Sequence, residues 1–453
     1  MKIVIIGTGT VGETLMQLLC AEQHDITIID CDPLLVEDLS ARFDVMGIIG
    51  NGVSYDVQAE AGVKRADLVI AVTQSDEQNL LCCVTAKRLG AKHTVARVRN
   101  PEYLDQVDFF SRSLGIDLIV NPEMETAHEI ENSIHYPAAI KLEHFTNGRV
   151  SLVKIKVTAE NPLIGHPLRE FHSIMKTQIL VCAVQRDAEV FIPNGDFVLE
   201  EDDAIYVTAP HGNINALFRS LNMDNTKIKD VMIVGGGETT VYLAKMLQKR
   251  NIFVKIIEID PKVCETLSDL LPKASVICGD GTNSDLLVEE GIEHTDAIVT
   301  LTDCDEENII ISMYAKTKGV EKIITQITKS PLEAMLPDFG FDTVSIAPQA
   351  VIANTILRYV RGIEHVSGET SIRTLYRLLQ NRVEALEFEV SEPNENLGIP
   401  LKDLSLIPNL LIGYIVRDKN VIYPQGDTTI EVGDRVIIVT TTNGLRSIED
   451  IFA

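Results

Sequence analysis

The sequence lacks an excess of positive charge and any long apolar run. Lys and Arg number 40 against 66 Asp and Glu, so the formal net charge is −26. Such a chain is repelled by a phosphate backbone, and we expect no nucleic-acid partner. No stretch approaches the roughly 18 apolar residues of a membrane span, and the apolar start before Gly7 is too short for a signal peptide. We therefore expect a cytoplasmic protein.

Metal-binding and disulfide patterns are also missing. The 8 cysteines include no Cys-x-x-Cys pair, which favours buried free thiols in a reducing compartment. The hydrophobic content of 45% against 23% charged residues excludes a disordered chain. At about 150 residues per domain, 453 residues predict three or more domains.

The chain repeats itself. The run 3–9 is matched by 231–237, Asp30 by Glu258, and after one inserted residue Gly52 by Gly281. A second, smaller unit follows each copy, marked by the similar turns Pro-Asn-Gly-Asp at 193–196 and Pro-Gln-Gly-Asp at 424–427. We predict large domains at 1–134 and 228–362, and small domains at 138–223 and 370–453.

Short apolar β-branched runs alternate with helical stretches in the large units. Examples are the runs 3–6, 26–29 and 68–72, with the helix 13–20 between the first two. This alternation is typical of a parallel sheet covered by helices on both faces. The predicted fold class is α/β, with two doubly wound parallel-sheet nucleotide-binding domains, each followed by a small α+β domain. In the small domains the two Gly-Asp turns predict β-hairpins, because glycine accepts a positive φ there.

The last helix of the second large unit carries a wide apolar stripe from Val351 to Val360 and is expected to end near Arg361 and Gly362. Such a stripe needs a partner surface. The helix packs either on its own sheet, or on the other copy or another chain.

A glycine loop follows the first predicted strand and opens a helix. Gly7, Gly9 and Gly12 form G-x-G-x-x-G, and Asp30 closes the second strand, which is the context of a dinucleotide-binding site. The glycines allow a tight turn, approach of the pyrophosphate and close helix packing. Asp30 is expected to accept hydrogen bonds from a ribose diol and to disfavour a 2′-phosphate, so NAD(H) or an adenine nucleotide is preferred over NADP(H). A glycine turn with no ligand is the structural alternative.

Strand ends complete the predicted site of the first copy. Asn51 and Gly52 follow the third strand, Thr73 ends the fourth, and Arg97 lies in the fifth, where it either reaches the pyrophosphate or pairs with a local carboxylate. The candidate residues are Gly7, Thr8, Gly9, Thr10, Val11, Gly12, Asp30, Cys31, Asn51, Gly52, Thr73 and Arg97.

The second copy keeps part of this pattern. Its candidate residues are Gly235, Gly237, Glu258 and Asp280. The third glycine is replaced by Thr240 and the arginine by Gln326, which should weaken pyrophosphate binding, while Glu258 and Asp280 can still hold a ribose. Nucleotide binding by this copy is left open.

Groups for catalysis are not evident. No histidine can be placed near Thr73, and no P-loop motif is present. Tyr314 and Lys318 fit the Tyr-x-x-x-Lys relay of short-chain dehydrogenases but lie on a predicted exposed helix face of the second copy. We predict a nucleotide sensor with no catalytic residues. An NAD-dependent oxidoreductase is the alternative, and a scaffold with a vestigial loop is a third possibility.

The motifs together resemble a known family, the tandem KTN domains (also called RCK) of regulatory subunits in Trk-type potassium uptake systems. The resemblance covers nearly the whole chain and is carried by Gly7, Gly9, Gly12, Asp30, 50–52, 67–73, Arg97, 121–123 and the small unit with 193–196. Asn51 departs from the family, which usually has Asp there.

The resemblance implies a non-enzymatic regulator that binds NAD(H) and ATP or ADP. It implies assembly as a homo-oligomer, commonly a tetramer, under an integral membrane potassium-translocating subunit. The protein would then be peripheral on the inner face of the cell membrane, gating that partner by a conformational change on nucleotide binding.

Overall fold

The computed structural model describes residues 1–452 apart from 101–102, 104–105, 107–108, 147, 172–178, 188, 222, 224–226, 330–331, 333–334, 336–343, 368–371, 380–381, 419, 443 and 446. Two compact units divide the chain. One consists of Met1–Ile134 and Ile228–Val360, and the other of His135–Lys227 and Arg361–Ala453.

The first large domain contains a six-stranded parallel sheet in the order β3-β2-β1-β4-β5-β6. Its strands are β1 Lys2–Ile6, β2 Asp25–Asp30, β3 Met46–Ile49, β4 Leu68–Ala71, β5 His93–Arg97 and β6 Leu118–Val120. Its helices are α1 Thr10–Ala21, α2 Pro33–Phe43, α3 Tyr55–Glu60, α4 Asp76–Leu89 and α5 Pro122–His135. Every residue of β4 is buried, because helices cover both faces of the sheet.

The first small domain is built on an antiparallel sheet in the order β10-β9-β11-β8-β7. Its elements are β7 Lys141–Phe145, β8 Val150–Lys156, β9 Leu180–Arg186, β10 Glu189–Phe191, β11 Ala204–Pro210 and α6 Ile214–Ser220.

The second large domain repeats the first, with the parallel order β14-β13-β12-β15-β16-β17. Its strands are β12 Asp230–Val234, β13 Phe253–Glu258, β14 Ser275–Cys278, β15 Ala297–Thr300, β16 Lys322–Gln326 and β17 Val344–Ile346. Its helices are α7 Glu238–Lys249, α8 Pro261–Leu270, α9 Ser284–Glu289, α10 Asp305–Thr317 and α11 Pro348–Ser367.

The second small domain is again antiparallel, in the order β18-β19-β22-β20-β21. Its strands are β18 Ile372–Leu378, β19 Val383–Glu389, β20 Leu410–Arg417, β21 Asn420–Ile422 and β22 Arg435–Thr440. The predicted fold class is therefore confirmed.

The terminal helices of the two large domains contact the opposite copy. From α5, Ala127, Ile130 and Ile134 are fully buried in the hydrophobic core built around the second sheet. From α11, the Tyr359 ring packs edge-on against His93 of β5, with ring centroids 6.4 Å apart. The apolar stripe predicted on α11 thus docks at least partly on the other copy.

The helix α11 continues beyond its predicted end. It runs to Ser367, with Gly362 inside it, so the expectation that it ends near Arg361 and Gly362 is wrong. The Arg361 guanidinium is buried and donates to the Leu375 carbonyl, a contact that no local pattern reveals.

The hairpins predicted at the Gly-Asp turns are wrong. Neither Gly195 nor Gly426 has a positive φ, and 197–199 makes only isolated bridges to Ile164 and Pro167. The Arg169 amide instead donates to the Gly195 carbonyl at 2.9 Å. The hairpins form one turn earlier, at Asp187 and Asp418, which adopt the left-handed conformation.

A buried carboxylate links the two small domains. Glu387, 2% exposed, accepts hydrogen bonds from the Thr146 amide at 3.0 Å and the Thr146 hydroxyl at 3.1 Å. The Thr374 hydroxyl donates to the same carboxylate at 3.0 Å. Phe145 and Tyr414 lie in one apolar core with residues of both small domains, so the two sheets share an interior.

The cysteines are all free thiols, as predicted, but not all are buried. Cys31 and Cys278 are exposed because they sit at the carboxyl ends of strands, where the predicted sites lie. Among the described residues, no helix has both the length and the apolarity needed to cross a membrane.

Each terminal helix contacts the opposite copy, an arrangement that we call helix exchange. It predicts that truncating a side chain of α5 destabilises the second copy rather than the first. We expect Ile130→Ala to cost about 2–5 kcal/mol, because it leaves a cavity in the core around the second sheet. Hydrogen exchange should therefore quicken in β12 and β13 before it quickens in β4. As the matched control, Leu80→Ala, in the core of the first copy, should show the reverse order. The same order of hydrogen exchange in the two variants would contradict the packing of α5 on the second sheet.

Candidate functional site

The first glycine loop connects β1 to α1 and has the shape of a phosphate cradle. Gly7 has φ +98°, and a Cβ at Gly12 would lie 2.1 Å from the Gly7 carbonyl oxygen, so neither position tolerates a side chain. Gly9 has φ −64°, and a Cβ there would meet nothing within 4 Å. No side chain caps the first turn of α1. Its amides and the open face of Gly9 together fit a pyrophosphate.

Asp30 ties this loop to the end of β2. Its Oδ2 accepts from the Thr8 amide at 2.7 Å and the Thr8 hydroxyl at 2.8 Å, and Oδ1 accepts from the Asp32 amide at 3.1 Å. Burial opposes ionisation, but the hydrogen bonds from Thr8, Asp32 and Cys31 outweigh it and lower the pKa of Asp30. A carboxylate has about four acceptor positions, and these internal donors already engage most of them, so the role of Asp30 toward a ribose stays a prediction.

The other candidates of the first copy lie at the same edge of the sheet. A Cβ at Gly52 would lie 2.2 Å from the Ile6 side chain, which explains the glycine after β3. The Asn51 side chain accepts from the Val53 amide at 3.0 Å, and the Cys31 thiol donates to the Gly50 carbonyl at 3.4 Å. Both thus shape the turn after β3.

Asn79 is a site residue that sequence reasoning missed. Its Oδ1 accepts from the Thr73 amide at 2.8 Å and the Thr73 hydroxyl at 2.7 Å, while Nδ2 donates to the Arg97 carbonyl at 2.9 Å. Asn79 is fully buried and fastens the ends of β4 and β5 to α4. The signal was present in the repeat, since Asn308 makes the matching bonds to Thr302 and Gln326.

Arg97 lies beside a carboxylate at the end of β5. Its Nη2 is 4.0 Å from Glu123 Oε1, and its buried Nε has no hydrogen-bond partner among the described residues. Burial lowers the pKa of Arg97 and raises the pKa of Glu123. Arg97 is therefore only loosely paired with the local carboxylate Glu123. Its role toward pyrophosphate stays a prediction.

The second glycine loop keeps the left-handed turn at its first glycine but lacks the third glycine. Gly235 has φ +109°, and the Glu258 carboxylate accepts from the Gly236 amide at 2.6 Å. Thr240 is fully buried, and its hydroxyl donates to the Gly235 carbonyl at 2.6 Å. The hydroxyl thus joins the helix to the turn, where the first copy has close glycine packing.

A cavity of about 300 Å³ opens at the strand ends of this second copy. It is lined by Val234, Gly235, Gly236, Gly237, Ile257, Glu258, Ile259, Gly279, Asp280, Gly281, Thr282, Leu301, Thr302, Asp303, Cys304, Glu307 and Ile311. The Thr282 hydroxyl and amide hydrogen bonds lower the pKa of Asp280. The four predicted residues Gly235, Gly237, Glu258 and Asp280 all line this cavity, so the structure brings them together.

Family models match the chain in two pairs. The TrkA-N domain matches residues 3–122 and 231–347, and the TrkA-C domain matches residues 152–222 and 385–453. The chain belongs to the TrkA family. A TrkA relative from Archaeoglobus fulgidus, named as a Trk system potassium uptake protein TrkA homolog, is 34% identical over 453 residues, covering 100% of both chains.

Solved structures share this TrkA fold at low identity. The GsuK channel bound to NAD is 18% identical and covers 97% of this chain and 77% of that one, with a TM-score of 0.62. GsuK bound to ADP is 16% identical and covers 81% of this chain and 69% of that one, with a TM-score of 0.51. These likenesses establish the fold.

The hydrogen bonds of Asn79 predict a local effect in this TrkA-family chain. In Asn79→Ala the Thr73 amide loses its acceptor, so its hydrogen exchange should quicken by about tenfold or more. The exposed neighbour Gln78 serves as the control, since Gln78→Ala should leave that exchange unchanged. Unchanged protection of Thr73 in Asn79→Ala would show that Asn79 is not what holds the strand end.

Proposed function

We propose that the protein is the nucleotide-sensing regulatory subunit of a potassium uptake system. In this proposal it binds NAD(H), and ATP or ADP, in the glycine-loop sites and gates an integral membrane potassium-translocating subunit by a conformational change. It works in the cytoplasm as a homo-oligomer, a tetramer, held at the inner face of the membrane by that partner. The name of the A. fulgidus relative and the NAD- and ADP-bound GsuK structures support it.

One observation carries the proposal: the open face of Gly9 beside the uncapped start of α1, joined to Asp30 through Thr8. Pyrophosphate at the loop and ribose at Asp30 would both act on this contact. A ligand biases a conformational equilibrium only through its different affinity for the two states, so a tenfold bias requires about 1.4 kcal/mol.

Helix exchange offers a route from this site to the second copy. The helix α5 starts directly after β6 at the strand ends of the first domain, and its apolar face lies in the core around the second sheet. The Glu131 carboxylate on α5 pairs with Arg250 after α7. A shift of the first strand ends is thus passed to the second domain through a rigid element.

The positions of Tyr314 and Lys318 favour a non-catalytic regulator over an oxidoreductase that would use them as a proton relay. The Lys318 ammonium donates to the Glu293 carboxylate at 2.7 Å and lies 5.5 Å from the Tyr314 ring centroid. Neither residue lines the cavity of the second copy. The roles of the glycine-loop residues and the four domain boundaries stay predictions within this proposal.

Substitution of Gly9 tests the proposed site. Because Gly9 has a negative φ and open space at its Cβ, Gly9→Val should fold normally yet fill the pyrophosphate position. We expect at least about a tenfold loss of affinity at one of the nucleotide sites, measured by isothermal calorimetry with NAD, NADH, ATP and ADP.

Gly237→Val, at the matching position of the second loop, is the control for the first site, since its Cβ also meets nothing within 4 Å. A turnover assay run in parallel should show no consumption of NADH. Full binding stoichiometry and affinity in Gly9→Val, or sustained NADH oxidation by the wild type, would refute the proposal.

A further inference from the structure

The two glycine-loop sites differ in charge at matching positions. Three uncharged amides around the first loop are replaced by carboxylates around the second: Asn51 by Asp280, Gln74 by Asp303 and Gln78 by Glu307. The cation Arg97 is replaced by Gln326. With Glu258, four carboxylates line the second cavity, and none of its described lining residues is basic.

Matching hydrogen bonds show that these positions are equivalent in space. Asn79 holds Thr73 and the start of α4 in the first copy, and Asn308 holds Thr302 and the start of α10 in the second with the same pattern of bonds. Gln74 and Asp303 directly follow these threonines. The change from amide to carboxylate is thus a difference in charge on a common backbone.

The sheet order fixes which part of a dinucleotide each carboxylate faces. The loop follows β12, Glu258 ends β13 on one side of it, and Asp303 follows β15 on the other. A dinucleotide lies across this switch point, with the adenosine ribose at the carboxylate after the second strand. Glu258 therefore marks the adenosine side, and Asp303 and Glu307 face the other half of the ligand.

We propose that the second site distinguishes the oxidised from the reduced dinucleotide. Resting on the proposed function, the inference assigns NAD⁺ as the ligand preferred by the cavity beside Asp303 and Glu307. The nicotinamide ring is a cation in NAD⁺ and is neutral in NADH, while the rest of the molecule keeps the same charge. Two carboxylates on that side attract only the oxidised ring, and all four repel ATP and ADP, whose phosphates carry more negative charge.

Exposure sets the size of this preference. Asp303 and Glu307 are exposed, so water and salt screen them and the discrimination stays moderate. We expect NAD⁺ to bind about fivefold to twentyfold more tightly than NADH at the second site at low salt. The first site has Gln74 and Gln78 in these positions, and we expect it to bind the two forms within about twofold.

An acidic cavity could instead hold a metal ion. Among the described residues, however, no three His, Cys, Asp or Glu side chains lie close enough together to do so. At Asp280, the oxygen Oδ1 accepts from the amide and the hydroxyl of Thr282 at 2.8 and 2.7 Å. The lack of a metal-binding group among the described residues favours an organic cation over a bare metal ion.

The test isolates each site in the full-length protein. In Gly9→Val only the second site remains, and calorimetry with NAD⁺ and NADH should give the fivefold to twentyfold ratio, decreasing as salt is raised. Asp303→Asn combined with Glu307→Gln in that background should reduce the ratio to about twofold or less. In the reciprocal protein, Gly237→Val, the ratio should stay within about twofold.

Each outcome bears on a separate claim. Equal affinities, or tighter NADH binding, in Gly9→Val overturn the inference. The same holds if the double substitution leaves the ratio unchanged. Binding to wild type that disappears in Gly9→Val also overturns it, but leaves the proposed function standing. If the wild type binds no nucleotide at all, the proposed function itself fails.

Discussion

The exchange of terminal helices is the constraint on which the nucleotide-binding half of the molecule depends. The helix α5 belongs to the first copy by sequence, yet Ala127, Ile130 and Ile134 complete the core around the second sheet. In return, Tyr359 of α11 reaches His93 on the first sheet. Buried side chains of this kind interdigitate, so α5 makes the first copy continuous with the core of the second.

Duplication made most of the fold predictable from the sequence, because the same glycine loop, acidic strand end and apolar runs occur twice in one order. The destination of α5 and α11 was not predictable, since an apolar stripe fits either sheet equally well. The Gly-Asp turns failed for another reason: Arg169 and Leu168 hold the first of them through bonds to the Gly195 and Phe197 carbonyls. These contacts come from residues more than 20 positions away, which a local turn pattern cannot include.

In the candidate site, too, some residues could be predicted from the sequence and others could not. Gly7 and Gly12 could be placed because a side chain does not fit at either position, and Asp30 because a carboxylate at the end of the second strand is part of the same motif. Asn79 was not predicted as a site residue because a buried asparagine within a helix has no motif of its own, and although it matches Asn308 in the repeat, its bonds to the strand ends show what it holds. At Thr240 the weakened pyrophosphate binding stays a prediction, and the structure adds a hydrogen bond from its hydroxyl to the Gly235 carbonyl, which the sequence did not indicate.

Unequal charge and shared packing together give a physical reason for keeping two copies in one chain. Two identical sites would respond to the same ligand, whereas a neutral and an acidic site can report on different ligands at once. Coupling between sites is reciprocal. If a ligand at the first site changes the affinity of the second site by some factor, a ligand at the second site changes the affinity of the first by the same factor. Since α5 joins the strand ends of one copy to the core of the other, the chain has a continuous element that can carry such coupling. On the proposed function, Asp303 and Glu307 would select the ligand of the second site, and α5 would carry its effect to the other copy.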